Sequence, residues 1–378
     1  MTDTYDIAIC GAGPVGMALA AQLAQRGVAP ARIGLLDAKT LAQASIDPRS
    51  IALSYGSRQI LEEIDAWPID ATPIHQIHVS RRGRFGRSLI DRREHDLPAL
   101  GYVARYGALV TALGAVCARH GIRTLRPARV LSCAEQADGV VLKTDAGELH
   151  AAIVVQAEGG IFGDQPSRTV SRDYRQTALI AQVATSAPIA HRAYERFTDE
   201  GPLALLPQGD DYALVWCVPP ATAQALLALD DAAFLAQLGA AFGARLGRFT
   251  HATPRVAYPL GLNAGAPGSP RSVAIGNAAQ TLHPVAGQGL NLGLRDAAVL
   301  ARLLARSVTR DAAPAMLAEF TRLREPDRAL TVHLTDTMAR IFANQSQAQT
   351  LLGLSLGLID LVKPARNLVA ELMMFGRR

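Results

Sequence analysis

A glycine-rich turn near the start of the chain constrains the fold more than any other feature. Gly11, Gly13 and Gly16 form a G-x-G-x-x-G pattern directly after a short apolar run, residues 5–10. The first glycine permits a tight turn, the second lets the backbone approach a pyrophosphate, and the third allows helix and strand to pack closely. A helical pattern and a second apolar run, residues 32–36, follow. This order predicts a βαβ unit and therefore a parallel sheet.

An acidic side chain ends the second apolar run. Asp37, followed by Ala38, lies where a carboxylate can accept hydrogen bonds from both hydroxyls of a ribose. The helix that begins at Pro14 and Val15 would present free N–H groups and its positive dipole end to a phosphate. We therefore expect a dinucleotide at this turn. The acid favours FAD or NAD over NADP, because a carboxylate would repel a 2′-phosphate.

A second glycine-rich segment, residues 276–293, decides between these cofactors. An apolar run, residues 272–275, leads into it, and a predicted helix, residues 293–306, leads out. Gly287 and Gly289 would let the backbone lie against a flat ring, and the amides before the helix would face the ring's electron-rich edge. Donors in that position stabilise a reduced flavin, so the segment indicates FAD.

Between the two glycine-rich segments, short alternating apolar runs replace the α/β pattern, and Gly, Pro and Asp separate them. The runs are residues 178–183, 193–197, 203–206 and 213–218. They predict an antiparallel sheet inserted into an α/β frame. We expect a discontinuous FAD-binding domain, a substrate domain and C-terminal helices. The expected boundaries are 1–70, 98–165 and 255–325 for the first, 71–97 and 166–254 for the second, and 326–378 for the third.

Composition excludes several classes of protein. Hydrophobic residues make up 49% of the 378 residues, so the chain is not disordered as a whole. The net charge is +5, and the densest basic run, residues 81–93, is short, which favours a solvated loop or an acidic headgroup over nucleic acid. The four cysteines show no C-x-x-C spacing, so we expect neither a metal site nor disulfides. No leader or membrane-spanning segment is predicted, and we expect a cytoplasmic protein.

The two glycine-rich segments, residues 47–53 (DPRSIAL) and their order resemble the class A FAD-dependent aromatic hydroxylases. The likeness is greatest to the ubiquinone-biosynthesis branch, the 2-polyprenyl-6-methoxyphenol hydroxylases. Shorter segments that share this likeness are residues 78–80, 197–198, 201–204, 214–217 and 339–344. The resemblance implies an α/β fold with a Rossmann-like FAD-binding domain and an inserted antiparallel-sheet substrate domain, as in para-hydroxybenzoate hydroxylase. It also implies a helical C-terminus.

The resemblance further implies which residues bind FAD. The first glycine turn would hold the pyrophosphate, Asp37 the ribose, Arg49 the phosphates, and the backbone of Val130 the adenine. Glu158 stands where many relatives have Asp, and Asn277 where many have a second Asp. The full set expected at the cofactor is Gly11, Gly13, Pro14, Val15, Gly16, Asp37, Ala38, Arg49, Arg105, Val130, Glu158, Gly159, Gly276, Asn277, Pro284, Gly287, Gln288, Gly289, Leu290 and Asn291.

The chemistry implied by the resemblance is hydroxylation of a polyprenylated phenol in ubiquinone biosynthesis, through a C4a-hydroperoxyflavin. O2 would be the second substrate. The sequence has no second G-x-G-x-x-G, so we expect no separate nicotinamide domain, and NAD(P)H would be a transient co-substrate. A base that takes the phenolic proton would assist. His191, His251 and His283 are candidates. His283 has the best claim because it precedes Pro284 in the flavin segment, and these two are the expected catalytic residues; a structural, hydrogen-bonded histidine is the alternative for His283.

Two further expectations concern the prenyl tail and a membrane. A polyprenyl tail needs an apolar channel, for which the candidates are Leu203, Leu205, Leu206, Val215 and Trp216; packing in the core is the alternative for each of them. The apolar residues 351–362, followed by basic residues, suggest peripheral contact with the inner face of a membrane. Packing of this segment against the main body or a sister subunit, and contact with a quinone-biosynthesis complex, are alternatives.

Other functions remain open at this stage. A flavin halogenase would carry a W-x-W-x-I-P signature, which is absent because Trp67 and Trp216 are the only tryptophans. A flavin prenyl reductase and a non-catalytic subunit that binds FAD or lipid are the alternatives. Glu158 is the one feature that favours the non-catalytic subunit.

Overall fold

The computed structural model describes residues 3–82, 87–159, 170–265, 268–284, 287–306, 312–343 and 371–376. The strands are β1 (Asp3–Cys10), β2 (Ile33–Leu36), β3 (Ser50–Ser54), β4 (Ala71–Ile74), β5 (Gln76–Arg81), β6 (Arg87–Asp91), β7 (Gly101–Arg105), β8 (Arg123–Leu125), β9 (Val130–Gln136), β10 (Gly139–Thr144), β11 (Gly147–Gln156), β12 (Val170–Thr185), β13 (Arg192–Phe197), β14 (Pro202–Gln208), β15 (Asp211–Val218), β16 (Phe249–Ala252), β17 (Val256–Ala264) and β18 (Ser272–Ala274). The α-helices are α1 (Pro14–Gln25), α2 (Leu41–Ser45), α3 (Tyr55–Glu63), α4 (Tyr106–Arg119), α5 (Pro220–Ala228), α6 (Asp231–Phe242), α7 (Gln288–Leu304) and α8 (Ala313–Ala343).

The predicted βαβ unit lies at the centre of a sheet that has seven strands within the described residues, in the order β8-β2-β1-β11-β10-β9, with β18 beside β11. Strand β1 pairs in parallel with both β2 and β11, and β18 also runs parallel to β11. Strands β9 and β10 are antiparallel. The largest apolar core joins this sheet to buried residues of α1, α4 and α7. The α/β part of the prediction is confirmed.

The predicted inserted sheet is also confirmed. Among the described residues it has eight strands, in the order β16-β12-β15-β14-β13-β5-β6, with β17 beside β12. Its pairs are antiparallel except for β5 with β13, which is parallel. Strand β17 belongs to this sheet, although the sequence placed residues from 255 onward with the FAD-binding part. Strand β4 joins β3 and β7 in a separate three-stranded sheet.

The two faces of the eight-stranded sheet have different surroundings. Helices α5 and α6 cover one face, where Phe234, Leu238 and Phe242 pack on strand residues to form a second apolar core. The opposite face lines a cavity that also touches the glycine-rich segments. The sheet therefore serves as one wall of the site.

The helices at the C-terminal end differ from expectation at their boundaries. Helix α7 begins at Gln288, five residues before the predicted start at residue 293, because Gly287 takes the left-handed conformation and starts the helix directly. Helix α8 continues across the expected domain boundary and contains Pro326. The predicted membrane segment, residues 351–362, lies outside the described residues. No described helix has the length and apolar character needed to cross a membrane.

Candidate active site

The first glycine turn has the geometry that its sequence predicts. Gly11 has φ +108°, and a Cβ added there would lie 2.6 Å from the backbone of Ala157, at the end of the neighbouring strand. A Cβ on Gly16 would overlap the carbonyl oxygen of Gly11, so only glycine lets α1 pack this closely on the turn. Both glycines are therefore required by the backbone.

The N-terminus of α1 is left open for an anion. Gly13 is its N-cap residue, and no side chain caps the helix. Pro14 follows at the first helical position, where its missing N–H costs nothing. Asp37 lies beside this turn, because its Oδ2 accepts a hydrogen bond from the N–H of Ala12 at 2.8 Å. The open amides and the fixed carboxylate match a pyrophosphate and a ribose.

Arg49 adds a positive charge to the same region. Its guanidinium donates to both carboxylate oxygens of Asp47, at 2.9 Å from Nε and 2.7 Å from Nη2. It also lies over the ring of Tyr106, 4.8 Å from the centroid. The paired carboxylate and the ring fix the orientation of Arg49, which lines the cavity as expected for a phosphate contact.

The second glycine segment packs directly on the first. Gly276 has φ +58°, and an added Cβ would lie 3.3 Å from Val15 in the first turn of α1. A Cβ on Gly293 would lie 2.7 Å from Val15 and 3.0 Å from the Cα of Gly276. The absence of side chains at these glycines lets α7 and α1 approach. The two segments that the sequence analysis associated with one cofactor therefore meet in space.

The N-terminus of α7 faces the same cavity and is held by a buried amide side chain. Gly287, with φ +60°, is the N-cap residue, and no side chain caps the helix. The Oδ1 of Asn291 accepts hydrogen bonds from the N–H of Ser54 at 2.8 Å and the Oγ of Ser57 at 2.7 Å. Its Nδ2 donates to the carbonyls of Gly287 and Ala52. Asn291 thus positions the helix end against β3.

A single cavity of about 660 Å³ connects these features with the wall formed by the eight-stranded sheet. The predicted site residues that line it are Gly13, Pro14, Val15, Arg49, Gly159, Asn277, His283, Pro284, Gly287, Gln288, Gly289, Leu290 and Asn291. Gly11, Gly16 and Gly276 shape the backbone behind them. Asp37 and Ala38 follow β2 at the open end of the first turn.

Three other predicted cofactor residues, Arg105, Val130 and Glu158, are not among the residues that line the cavity. Arg105 is exposed, and its Nη2 donates to the Oε1 of Gln182 at 3.1 Å. Val130 begins the edge strand β9. Partial desolvation, and then the charge of Asp37, raise the pKa of Glu158 above its ordinary value. Glu158 therefore lies near Asp37 at the ribose end, while the contacts of all three with the cofactor stay predictions.

His283 lies in the cavity wall and is almost completely buried. Its Nε2 lies 2.9 Å from the Oε1 of Gln176. The Nε2 of Gln176 donates to the carbonyl of Glu200, so its Oε1 must accept, and the Nε2 of His283 carries a proton. Burial lowers the pKa of His283 to about 4, which makes it a weak base. The other candidates, His191 and His251, lie outside the cavity: His191 contacts Pro73, and His251 is exposed on β16.

Of the five candidates for the apolar channel, three take the alternative role of core residues. Leu203, Leu205 and Trp216 point away from the cavity into the core beneath α5 and α6. Leu206 and Val215 do line the cavity. Successive side chains in a strand face opposite sides of the sheet, so adjacent leucines cannot all line one channel.

The sequence analysis missed the one carboxylate among the described residues that line the cavity, Glu195 on β13. It lines the cavity with Ala193 and Phe197, which precede and follow it at spacings of two. Desolvation raises the pKa of Glu195 to about 7. The period-two alternation of residues 193–197 could have placed Glu195 on the face of Phe197, but not shown which face borders the cavity.

The residues present fit FAD. Two uncapped helix ends, two glycine turns that side chains would fill, and a carboxylate beside the first turn converge on one cavity. Open helix ends stabilise the phosphates and the negative charge of a reduced flavin ring.

Comparison with known proteins agrees with this assignment. Residues 269–334 match the family model described as an FAD binding domain. The chain is 34% identical to ubiquinone hydroxylase UbiL of Rhodospirillum rubrum over 96% of this chain and 88% of that protein. It is 32% identical to 3-demethoxyubiquinol 3-hydroxylase of Escherichia coli over 79% of each.

Solved structures share the fold. The Pseudomonas aeruginosa protein PqsL, crystallised with 2-aminobenzoylacetate, aligns with a TM-score of 0.73 at 20% identity, over 90% of this chain and 97% of PqsL. The p-nitrophenol 4-monooxygenase PnpA of Pseudomonas putida aligns with a TM-score of 0.76 at 18% identity over the whole of both chains. At these identities the likeness shows a shared fold.

Proposed function

This chain belongs to the FAD-dependent hydroxylases of ubiquinone biosynthesis, and we propose that it hydroxylates the ring of a prenylated phenol. The resemblance implies that the reaction uses NAD(P)H and O2. When bound, FAD reduced by NAD(P)H supplies the electrons that activate O2, so that one oxygen atom enters the ring and the other leaves as water. The polyprenyl chain and the oxygen-transfer route implied by the resemblance belong to this proposal.

One observation carries the proposal: a single cavity joins the predicted flavin segment to an apolar wall. Pro284 and Leu290 border it on the flavin side, and Val79, Ile180 and Leu206 border it on the sheet side. Such a wall offers water no hydrogen-bond partners, and the exclusion of water protects activated oxygen from unproductive decay. The apolar side chains also provide a surface for a prenyl tail.

The chain's own residues would divide the work along this cavity. The turn at Gly11 and the open end of α1 bind the pyrophosphate, and Asp37 orients the ribose. The end of α7, positioned by Asn291, faces the ring where negative charge develops. The sheet wall holds the phenol opposite that ring.

Isotope-labelled turnover tests the proposal directly. The purified protein, saturated with FAD, is incubated with 2-geranylphenol, NADH or NADPH, and ¹⁸O2. We expect NAD(P)H oxidation stimulated by the phenol and a product that carries one ¹⁸O atom. Stimulated oxidation with a reduced prenyl chain and no label would instead indicate a prenyl reductase. Bound FAD with no stimulation by any prenylphenol would indicate a non-catalytic subunit and contradict the proposal.

Peripheral membrane contact through residues 351–362 is part of the proposal as well. A lipid-soluble substrate would be reached from the membrane surface. Flotation with liposomes, compared between the full chain and a variant that lacks residues 351–378, tests it. Equal flotation of the two proteins would reject this role.

A further inference from the structure

The carboxyl group of Glu195 lies in an apolar row that crosses the sheet wall of the cavity. Strand pairing places Glu195 beside Val79 on one side and Ala204 on the other. The row continues from Ala204 to Val215 and then to Ile180. All five residues line the cavity. A single acid in such a row has no role in packing and needs another explanation.

Glu195 has no ion pair or hydrogen-bond partner within the part of the chain that the structure describes. Its strand neighbours Tyr194 and Arg196 point to the other face, where Arg196 donates to the carbonyl of Ala241. Glu195 is also the only carboxylate among the described residues that line the cavity. Its oxygens are therefore available to a bound molecule.

The titratable groups around Glu195 do not compensate its charge. Neither Val79 of β5 nor Ala204 of β14 is ionisable, and on β15 the nearest ionisable group is the thiol of Cys217. Burial, and then the Glu195 carboxylate, raise the pKa of that thiol. The other described ionisable side chains that line the cavity are Arg49, Tyr106, Tyr258 and His283; Tyr194 borders it too, but its side chain packs in the core on the other face. A desolvated carboxylate without a cation attracts a proton donor.

We propose that Glu195 is the general base that accepts the phenolic proton during hydroxylation. This inference rests on the proposed function. Glu195 takes the role of base for which the sequence analysis favoured His283. The Nε2 of His283 already donates to Gln176, whereas Glu195 lines the cavity and has no hydrogen-bond partner among the described residues. A phenol placed against the apolar wall would find its hydrogen-bond acceptor in this carboxylate.

The proton transfer balances with the oxygen insertion. As the ring carbon bonds to the electrophilic oxygen atom derived from O2, the phenolic O–H bond breaks and its electron pair stays with the substrate oxygen. The proton passes to a carboxylate oxygen of Glu195. The hydrogen on the attacked carbon then leaves to solvent as a proton, which restores the aromatic ring as a phenolate, and Glu195 returns its proton to the phenolate oxygen. NAD(P)H supplies the two electrons, and the second oxygen atom becomes water.

A phenol and its methyl ether test the proposal without turnover, because only the phenol has a proton to donate. Titration calorimetry measures the affinity of the FAD-loaded protein for 2-geranylphenol and for its methyl ether. The quantity compared is the ratio of the affinity for the phenol to the affinity for the ether. At about pH 8.5, where the carboxylate is ionised, we expect this ratio to be about tenfold higher in the wild type than in Glu195→Gln. At about pH 5.5 this difference should shrink, since the acid is protonated. A wild-type preference that is the same at both values of pH would overturn the proposal.

Single-turnover hydroxylation provides the second readout. In the wild type the rate should rise as the pH passes about 7. In Glu195→Gln the rise should disappear, with a loss of about 100-fold at high pH, and Glu195→Asp should restore part of the rate. Glu63→Gln, on the exposed surface of α3, is the matched control and should behave as wild type. A Glu195→Gln protein with the wild-type rate and profile would refute the role, whereas no ¹⁸O incorporation by any variant or the wild type would count against the proposed function instead.

Discussion

Replacing Glu195 by glutamine should stabilise the fold at neutral and alkaline pH. In the folded protein desolvation raises the pKa of this carboxyl from 4.5 to about 7. The unfolded chain therefore releases this proton at lower pH than the folded one. Between these two values the folded state holds more protons, so the free energy of unfolding falls as the pH rises. Below about pH 4.5 both states are protonated, and the carboxyl contributes nothing.

The magnitude follows from the difference between the two pKa values. At about 1.4 kcal/mol per pH unit, a pKa raised from 4.5 to about 7 corresponds to a cost of about 3 kcal/mol above pH 7. Glutamine keeps the shape of the side chain and carries no charge, so Glu195→Gln should recover most of that cost. A gain of this size would be distinctive, because most single substitutions destabilise a protein.

Urea unfolding at saturating FAD, followed by tryptophan fluorescence, measures the effect. The difference between Glu195→Gln and wild type should be near zero at about pH 4.5 and should reach about 2–3 kcal/mol at about pH 8. The surface variant Glu63→Gln should show no such growth. If Glu195→Gln and the wild type have the same free energy of unfolding at both pH values, the carboxyl is not desolvated, and the reasoning from its apolar row fails.

Three further predictions concern the cofactor end of the cavity. Gly11→Ala should lower the affinity for FAD by at least about tenfold, measured by flavin fluorescence, because a Cβ would meet the backbone of Ala157 at 2.6 Å. Asn291→Ala should destabilise the protein by about 2–3 kcal/mol in urea unfolding, since the buried N–H of Ser54 loses its acceptor. His283→Ala should slow hydroxylation and leave FAD bound, and the pH at which the rate rises should not move; a shifted rise would return His283 to the role of base.

The features that could be predicted from the sequence are those whose cause is local. Gly11 needs a positive φ and a close approach to β11, so the pattern around it reports the turn wherever it occurs. The same holds for Gly287, although the helix that follows begins at once rather than after a loop. The alternating runs predicted β12 to β15 because period-two patterning is a property of each strand.

The features that could not be predicted depend on long-range pairing. The face of Leu203 and Leu205 is set by the register of β14 against β13 and β15, which places Ala204 and Leu206 on the cavity side. A one-residue change of register would exchange the two sets. The partnership of Asn291 with Ser54 spans 237 residues, and no local pattern reports it. Sequence reasoning grouped Asn291 with the flavin contacts but missed its role in holding α7 to β3.

The difference between local patterns and long-range pairing also explains why the sequence pointed to His283 and not to Glu195. In the sequence, Glu195 is an acid between Tyr194 and Arg196 on a predicted strand, where a charged residue usually faces solvent. Only the cross-strand row with Val79 and Ala204 removes it from water. Removal from water costs stability and, at the same time, brings the carboxyl's pKa close to neutral pH, where a base is most effective. The unfolding and hydroxylation experiments therefore test one cause by two routes: a variant that gains stability and loses the phenol preference supports a base, and one that gains stability alone leaves a buried acid without a catalytic role.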